Sequence, residues 1–344
     1  NWFGGGMLGN GATTLHPGSE TTLNGTDAKF VRTRTLNNSG SITWIGDGNF
    51  TIALGAALNN SGLFEIRGNG SIFNAVNGSR TPSFFNNSGT SLKKSSNVSV
   101  INSTFNNSGI VLIQEGGLDF ANGGSSAGRF NGSDGTILRF SSGAQTFSAP
   151  SRIEGPGKFE LTGGSMNFAG ALEITGAASV NAGLNFITGA RVSTQNILTI
   201  DNSGNLDFSS GQSISINILT NRGILRGSDD ISVTNRLTWL SGTISGTNSV
   251  RIEPSATLQI SGASPISIVG RRFENAGSGF WTNTTSWAIG GGAVFTNSGT
   301  FEFQTDASVS TYLPTGASVG AFNNGGSITK SPAGQLSLSL PFNN

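Results

Sequence analysis

Hydrophobic and polar positions alternate along this chain with period two, and a glycine restarts the count. Two and four residues after Gly40 come Ile42 and Trp44. After Gly62 come Phe64 and Ile66, and after Gly109 come Val111 and Ile113. Gly157, Gly204 and Gly299 lead in the same way to Phe159 and Leu161, Leu206 and Phe208, and Phe301 and Phe303. This alternation predicts short strands with one buried face. Ala12–Leu15 and 29–33 read as further strands near the start. Gly89 breaks the rule, because Ser91 and Lys93 stand in the apolar places. No stretch of ten or more residues shows a helical apolar stripe free of glycine.

The strands are separated by a recurring polar corner. It reads Leu36-Asn37-Asn38-Ser39-Gly40, Leu58-Asn59-Asn60-Ser61-Gly62, Phe85-Asn86-Asn87-Ser88-Gly89 and Phe105-Asn106-Asn107-Ser108-Gly109. Thr296-Asn297-Ser298-Gly299 and Phe322-Asn323-Asn324-Gly325-Gly326 are later copies, and Asp201-Asn202-Ser203-Gly204 is a weaker one. Asn and Gly tolerate positive φ, so a sharp corner is expected there. If corners stack, their amides can form a ladder. The expected ladder and turn residues are Asn38 with Gly40, Asn60 with Gly62, Asn87 with Gly89, and Asn107 with Gly109. Asn202 with Gly204, Asn275 with Gly277, Asn297 with Gly299, and Asn324 with Gly326 complete the set. The first turn glycines lie 22, 27 and 20 residues apart, a period that points to a solenoid. The predicted fold is all-β: a parallel β-helix, or β-solenoid, with three strands per coil and about sixteen coils. At ~4.8 Å per strand it would be a rod ~75 Å long.

A second period is longer. Shifted by 237 residues, the chain aligns with itself without a gap. Trp2 falls on Trp239, Pro17 on Pro254, Arg34 on Arg271, Asn38 on Asn275, Trp44 on Trp281, Phe64-Glu65 on Phe301-Glu302, and Lys93 on Lys330. Residues 1–238 therefore read as one β-helix module and 239–344 as a partial second copy continuous with it. The match runs to Phe342-Asn343-Asn344, inside a corner motif, which suggests a window on a longer repetitive protein.

Composition narrows the chemistry. Charged residues are 11% of the 344, and the formal net charge is +1. That gives no electrostatic case for nucleic acid or an anionic membrane. The 35% apolar content and the alternation argue against disorder. Arg32/Arg34, Lys93/Lys94 and Arg271/Arg272 read as solvated surface pairs. The absence of cysteine excludes disulfides and thiolate metal sites. Phe outnumbers Tyr by 23 to 1, as suits rings stacked in an interior that offers the hydroxyl no partner. The paired tryptophans Trp2/Trp239 and Trp44/Trp281 read as core.

His16, the sole histidine, is replaced by Glu253 in the second copy, which argues against catalysis. Asp229-Asp230 are neighbours on a strand and face opposite ways. Glu65 and Glu302 are outward and suited to links between coils. Asp47 resembles a calcium-loop fragment, but its counterpart is Thr284. The Asn-x-Ser/Thr sequons (Asn24, Asn37, Asn59, Asn77, Asn86, Asn97, Asn102, Asn106, Asn131, Asn283) include several by-products of the corner. Thr33-Arg34-Thr35 does not recur every coil, as an ice-binding face would require. No metal or cofactor site is expected.

The Phe85–Thr90 corner followed by alternating strands resembles secreted bacterial β-helix proteins, such as autotransporter passengers and filamentous-haemagglutinin-like adhesins. The resemblance covers nearly the whole chain. It implies a right-handed parallel β-helix outside the cell, used as a stalk, fibre or adhesin. The leading expectation is a non-enzymatic cell-surface fibre built by stacking coils, with other copies of itself as partner. An adhesin or carbohydrate-binding β-helix meeting surface glycans through an exposed aromatic row is the alternative. A polysaccharide lyase or hydrolase is the third reading.

Overall fold

The computed structural model describes residues 1–344 apart from 75–80, 194, 283, 284, 307, 313–317 and 333. It shows a parallel β-solenoid of about fifteen turns, with no helix among the described residues. Three strands make a coil: Thr35–Asn38, Ser41–Trp44 and Phe50–Ala53 form one, and Ala57–Asn60 and Leu63–Ile66 begin the next. Equivalent strands pair in parallel and in register, as in Leu36↔Leu58 and Ile42↔Phe64. The chain divides into two compact units, Asn1–Gly176 and Ala177–Asn344.

In the first unit the predicted inward positions are buried. Ile42, Trp44, Phe64, Ile66, Val111, Ile113, Phe159 and Leu161 are at most 1% exposed. Each such side chain contributes about 1.5–3 kcal/mol by leaving water. Rings pile from coil to coil, Phe64 on Phe85 at 5.2 Å and Phe85 on Phe105 at 5.0 Å, and Phe105 also meets Phe120 of its own coil at 4.6 Å. Ser91 and Lys93 are also buried, so the alternation of burial continues where the alternation of hydrophobicity stops. Two strands, Thr90–Asn102 and Ile110–Phe120, run unbroken through one corner of the coil.

The second unit is built alike. Trp239, Trp281, Trp287, Phe295 and Phe303 are fully buried, with Trp287 against Phe295 at 4.8 Å and Phe295 against Phe322 at 4.7 Å. Strand bounds recur at the 237-residue spacing: Ala12–Leu15 and Ser249–Ile252, Thr35–Asn38 and Arg272–Asn275, Ser41–Trp44 and Ser278–Trp281, Phe84–Asn87 and Ala321–Asn324. The repeated corners nevertheless meet different neighbours. In the first unit the Asn38 column precedes the corner through which Thr90–Asn102 bends. In the second unit the Asn275 corner stacks above the bend within Ile231–Trp239, by way of Ser249–Ile252 and Thr257–Ile260.

The expected reason for the corner glycines does not hold. None of Gly40, Gly62, Gly89, Gly109, Gly277, Gly299 and Gly326 has a positive φ. They are needed because coils touch there. A Cβ on Gly62 would lie 2.0 Å from the Gly40 carbonyl oxygen, one on Gly89 2.2 Å from that of Gly62, and one on Gly299 2.1 Å from that of Gly277. Glycine serves close backbone approach, not handedness.

Candidate functional site

The corner asparagines form two ladders in the first unit. In the inner one, Asn38 Nδ2 donates to Asn60 Oδ1 (2.7 Å), Asn60 Nδ2 to Asn87 Oδ1 (2.7 Å) and Asn87 Nδ2 to Asn107 Oδ1 (2.9 Å). Asn60 Nδ2 also reaches the Thr90 carbonyl at 3.0 Å. All four residues are at most 2% exposed. Burial makes the pairing obligatory, since an unpaired amide there would cost about 1–3 kcal/mol. The inner ladder begins at Asn38, whose Oδ1 is unpaired because the rung before it is Leu15. It ends against Ser126, which pairs with Asn107.

The outer ladder runs the other way. Asn59 Nδ2 donates to Asn37 Oδ1, Asn86 to Asn59 and Asn106 to Asn86, each at 2.9 Å. Opposed donor directions set two amide dipole arrays antiparallel, which is electrostatically favourable. The second unit repeats both: Asn275 to Asn297 (2.8 Å), Asn297 to Asn324 (2.8 Å) and Asn324 to Asn344 (2.6 Å) inside, and Asn343 to Asn323 (2.7 Å) outside.

Asn202 does not join. It is exposed, because Gly204 N bonds back to the Asp201 carbonyl at 2.8 Å and makes a longer turn with Asn202 near its tip. Ile200 fills the last inward position of its strand, paired with Asn221, which is fully buried. Gly204 still sits in close contact, its Cβ direction 2.3 Å from the Val180 carbonyl.

Two residues read as surface cations are interior. Lys93 is fully buried, its Nζ donating to the Ser95 carbonyl (2.6 Å), to Ser95 Oγ and to Asn97 Oδ1 (3.0 Å). Lys29 does the same in another coil, capping the Gly25 and Asp27 carbonyls at 3.2 and 2.8 Å. In the second unit Arg271 is fully buried and donates to the carbonyls of Gly227, Ser245 and Ser249 at 3.2, 3.2 and 3.3 Å, and to that of Asp229. These corners turn carbonyls inward, and a cation satisfies several at once. The alternation after Gly89 could have revealed Lys93, since its position is the inward one. Lys94 and Arg272 are surface residues. Arg34 is half-buried and donates to Thr13 Oγ1 at 2.8 Å, and Arg32 lies 4.8 Å over the Phe30 ring.

Burial lowers the Lys93 pKa from 10.5 to about 8, with Glu115 pulling it back up. Between pH 8 and 10.5 the folded chain has released this proton while the unfolded chain still holds it. Stability attributable to Lys93 is therefore expected to rise with pH across that window and to be flat below it. Nitrogen-15 detection of the Lys93 Nζ should show a midpoint near 8, and one above 10 would contradict its burial.

Acids are tied into rows that cross coils. Glu65, expected on the outer face, is buried beneath its partners and meets Arg67 at 3.0 Å and Lys94 of the next coil at 3.6 Å. Glu302 instead accepts from Gln304, just past the end of its own strand, at 2.8 Å. On one face Arg139 bridges towards Asp119 (4.0 Å) and Glu160 (2.7 Å), and Lys158 completes the row at 2.6 Å. On another, Arg129 meets Glu154 and Arg152 meets Glu173 at 2.7 Å. Burial alone would raise the Glu160 pKa, but the hydrogen bonds from Lys158 and Arg139 outweigh it and hold it below the usual range. These rows went unread because the corners between 116 and 200 are degenerate. The 20- and 21-residue spacings of Asp119, Arg139 and Glu160 were the available signal.

Asp229 and Asp230 lie in the corner between Ile224–Gly227 and Ile231–Trp239, not on a strand as expected, and one is buried while the other is exposed. Asp229 is buried and accepts from Ser210 N, Ser210 Oγ and Gly211 N, whereas Asp230 caps Ser249 N at 2.9 Å. Those Ser249 bonds lower the Asp230 pKa. Asp47 Oδ1 accepts from Asn69 N at 2.9 Å, and Thr284 lies outside the described residues, as do Asn77 and Asn283. His16 is exposed. Among the described residues no group of three His, Asp or Glu could hold a metal ion, and no helix is long and apolar enough to cross a membrane. The ladders and the ionic rows repeat from coil to coil. No protein-family model, no curated protein and no solved structure matches the chain.

Proposed function

We propose that this chain is a structural β-solenoid, a length of a secreted bacterial fibre displayed outside the cell, and that it carries no chemistry of its own. The inner ladder supports this reading most directly. Each of its amide bonds joins one coil to the next, from Asn38 to Asn107 and again from Asn275 to Asn344. Within each unit the ring stacks and ionic rows run the same way, so cohesion in each is directed along an axis, as a shaft requires. A solenoid coil presents unpaired strand edges, which a further coil from another copy can continue.

Electron microscopy of the purified chain is expected to show linear association that lengthens with concentration. Particles of one fixed short length at every concentration would remove the fibre reading. A turnover assay on a polysaccharide panel should release nothing, and product formation would reassign the protein as a lyase or hydrolase.

A further inference from the structure

One face of the first unit differs chemically from the others. Its strands are Ala12–Leu15, Thr35–Asn38, Ala57–Asn60, Phe84–Asn87, Thr104–Asn107, Gly124–Ser126, Ala144–Phe147 and Ser165–Phe168. None contains a charged residue, whereas the ionic rows occupy the remaining strands of the same unit. The outer ladder stands on this face. Asn59 and Asn86 each spend one N–H and one oxygen lone pair on their ladder neighbours. An amide has two of each, so every such rung keeps one donor and one acceptor on the solvent side. The ladder bonds fix their direction. Phe84 lies on the same outward row of side chains, two residues before Asn86 and between Ala57 and Thr104 of the adjoining coils. It is half-buried although its strand neighbour Phe85 fills the core. Beside the ladder is a cavity of about 200 Å³ lined by Asn86, Ser88, Asn106, Ser108, Ser125 and Ala127.

We propose that this face binds an uncharged, linear polysaccharide lying along the solenoid axis. A pyranose offers an apolar C–H face and a rim of hydroxyls that donate and accept together. The Phe84 ring meets the first and the Asn59 and Asn86 amides meet the second. Rungs recur every ~4.8 Å, so a polymer of identical units meets an outer amide at each coil from Asn37 to Asn106 and the single Phe84 ring at one of them. A second copy of the chain is a poorer fit. Eight strands of about four residues present ~500 Å², below the ~800 Å² per partner of a stable pairing. Arg34 reaches the first of these strands, but among the described residues the four strands that carry the ladder contain no cation for an anionic polymer.

Calorimetric titration of the full chain tests the proposal, with uncharged oligosaccharides (β- and α-linked glucans, galactans, chitin fragments) set against polygalacturonate. An uncharged oligosaccharide is expected to bind, with affinity changing less than about twofold between low and high salt, since no ion pairs are screened. Phe84→Ala and Ala127→Trp, both at positions outside the core, should each weaken it tenfold or more without moving the unfolding transition. Three results would overturn the proposal: no uncharged oligosaccharide binding at millimolar concentration, salt-sensitive binding of polygalacturonate alone, or binding unchanged in both variants. None of these depends on whether the chain forms filaments.

Discussion

Gly89→Ala is expected to be among the most damaging single-methyl additions in this protein. The new Cβ would sit 2.2 Å from the Gly62 carbonyl oxygen and 2.5 Å from the Ser61 carbonyl carbon. Both are backbone atoms, so no side chain can swing aside and two coils must part. The same carbonyl accepts Thr90 N at 2.8 Å, so parting them also strains a ladder bond. Overpacking usually costs about 1–3 kcal/mol, and more when backbone must move. At least about 3 kcal/mol is expected here. Gly135→Ala is the comparison. It meets nothing within 4 Å but has a φ of +75°, so only the left-handed conformation is penalised, by about 1–2 kcal/mol. Denaturant unfolding of the two variants should rank them in that order. Because coils couple only to neighbours, hydrogen exchange should quicken mainly around Leu63, Thr90 and Ile110. Equal stability of the two variants would mean the glycine column is not set by coil contact.

Asn60→Ala is the second large effect. It leaves the Asn87 oxygen and the Thr90 carbonyl without the donor they now share, and removes the acceptor of Asn38 Nδ2. Asn38 keeps its bond to the Leu63 carbonyl at 2.9 Å. Two to three buried groups unsatisfied at about 1–3 kcal/mol each give about 3–5 kcal/mol in total. Asn59→Ala, one residue earlier, breaks the outer ladder where water can replace the lost bonds, and less than about 1 kcal/mol is expected. Urea midpoints of the pair measure the difference directly. A similar loss in both would show that burial does not decide the ladder's strength.

Several features were readable because they depend on local order along the chain. Alternation after each glycine fixed which of Ile42, Trp44, Phe64 and Ile66 face inward, since a strand has no other way to dispose of them. The spacing of the Asn-Ser-Gly corners showed that Asn38, Asn60, Asn87 and Asn107 would stack. Asn202 shares the motif but not the place, because the turn around it closes on Asp201. Motif spelling does not reveal turn length. The solvated reading of Lys93 and Arg271 followed from charge, and their burial from carbonyl groups that no sequence pattern displays.

The sequence by itself determined a stacked parallel β architecture, the inward rows and the inner ladder, because all of these follow from residue type and periodicity. The tertiary structure alone decided why the corner glycines are required, which cations are interior, and how acidic and basic residues about twenty positions apart become partners. It also gathered the strands of the first unit that contain no charged residue onto one face. These outcomes depend on the distance between coils and on where carbonyls point. Both are set only when one turn of the chain rests on the next.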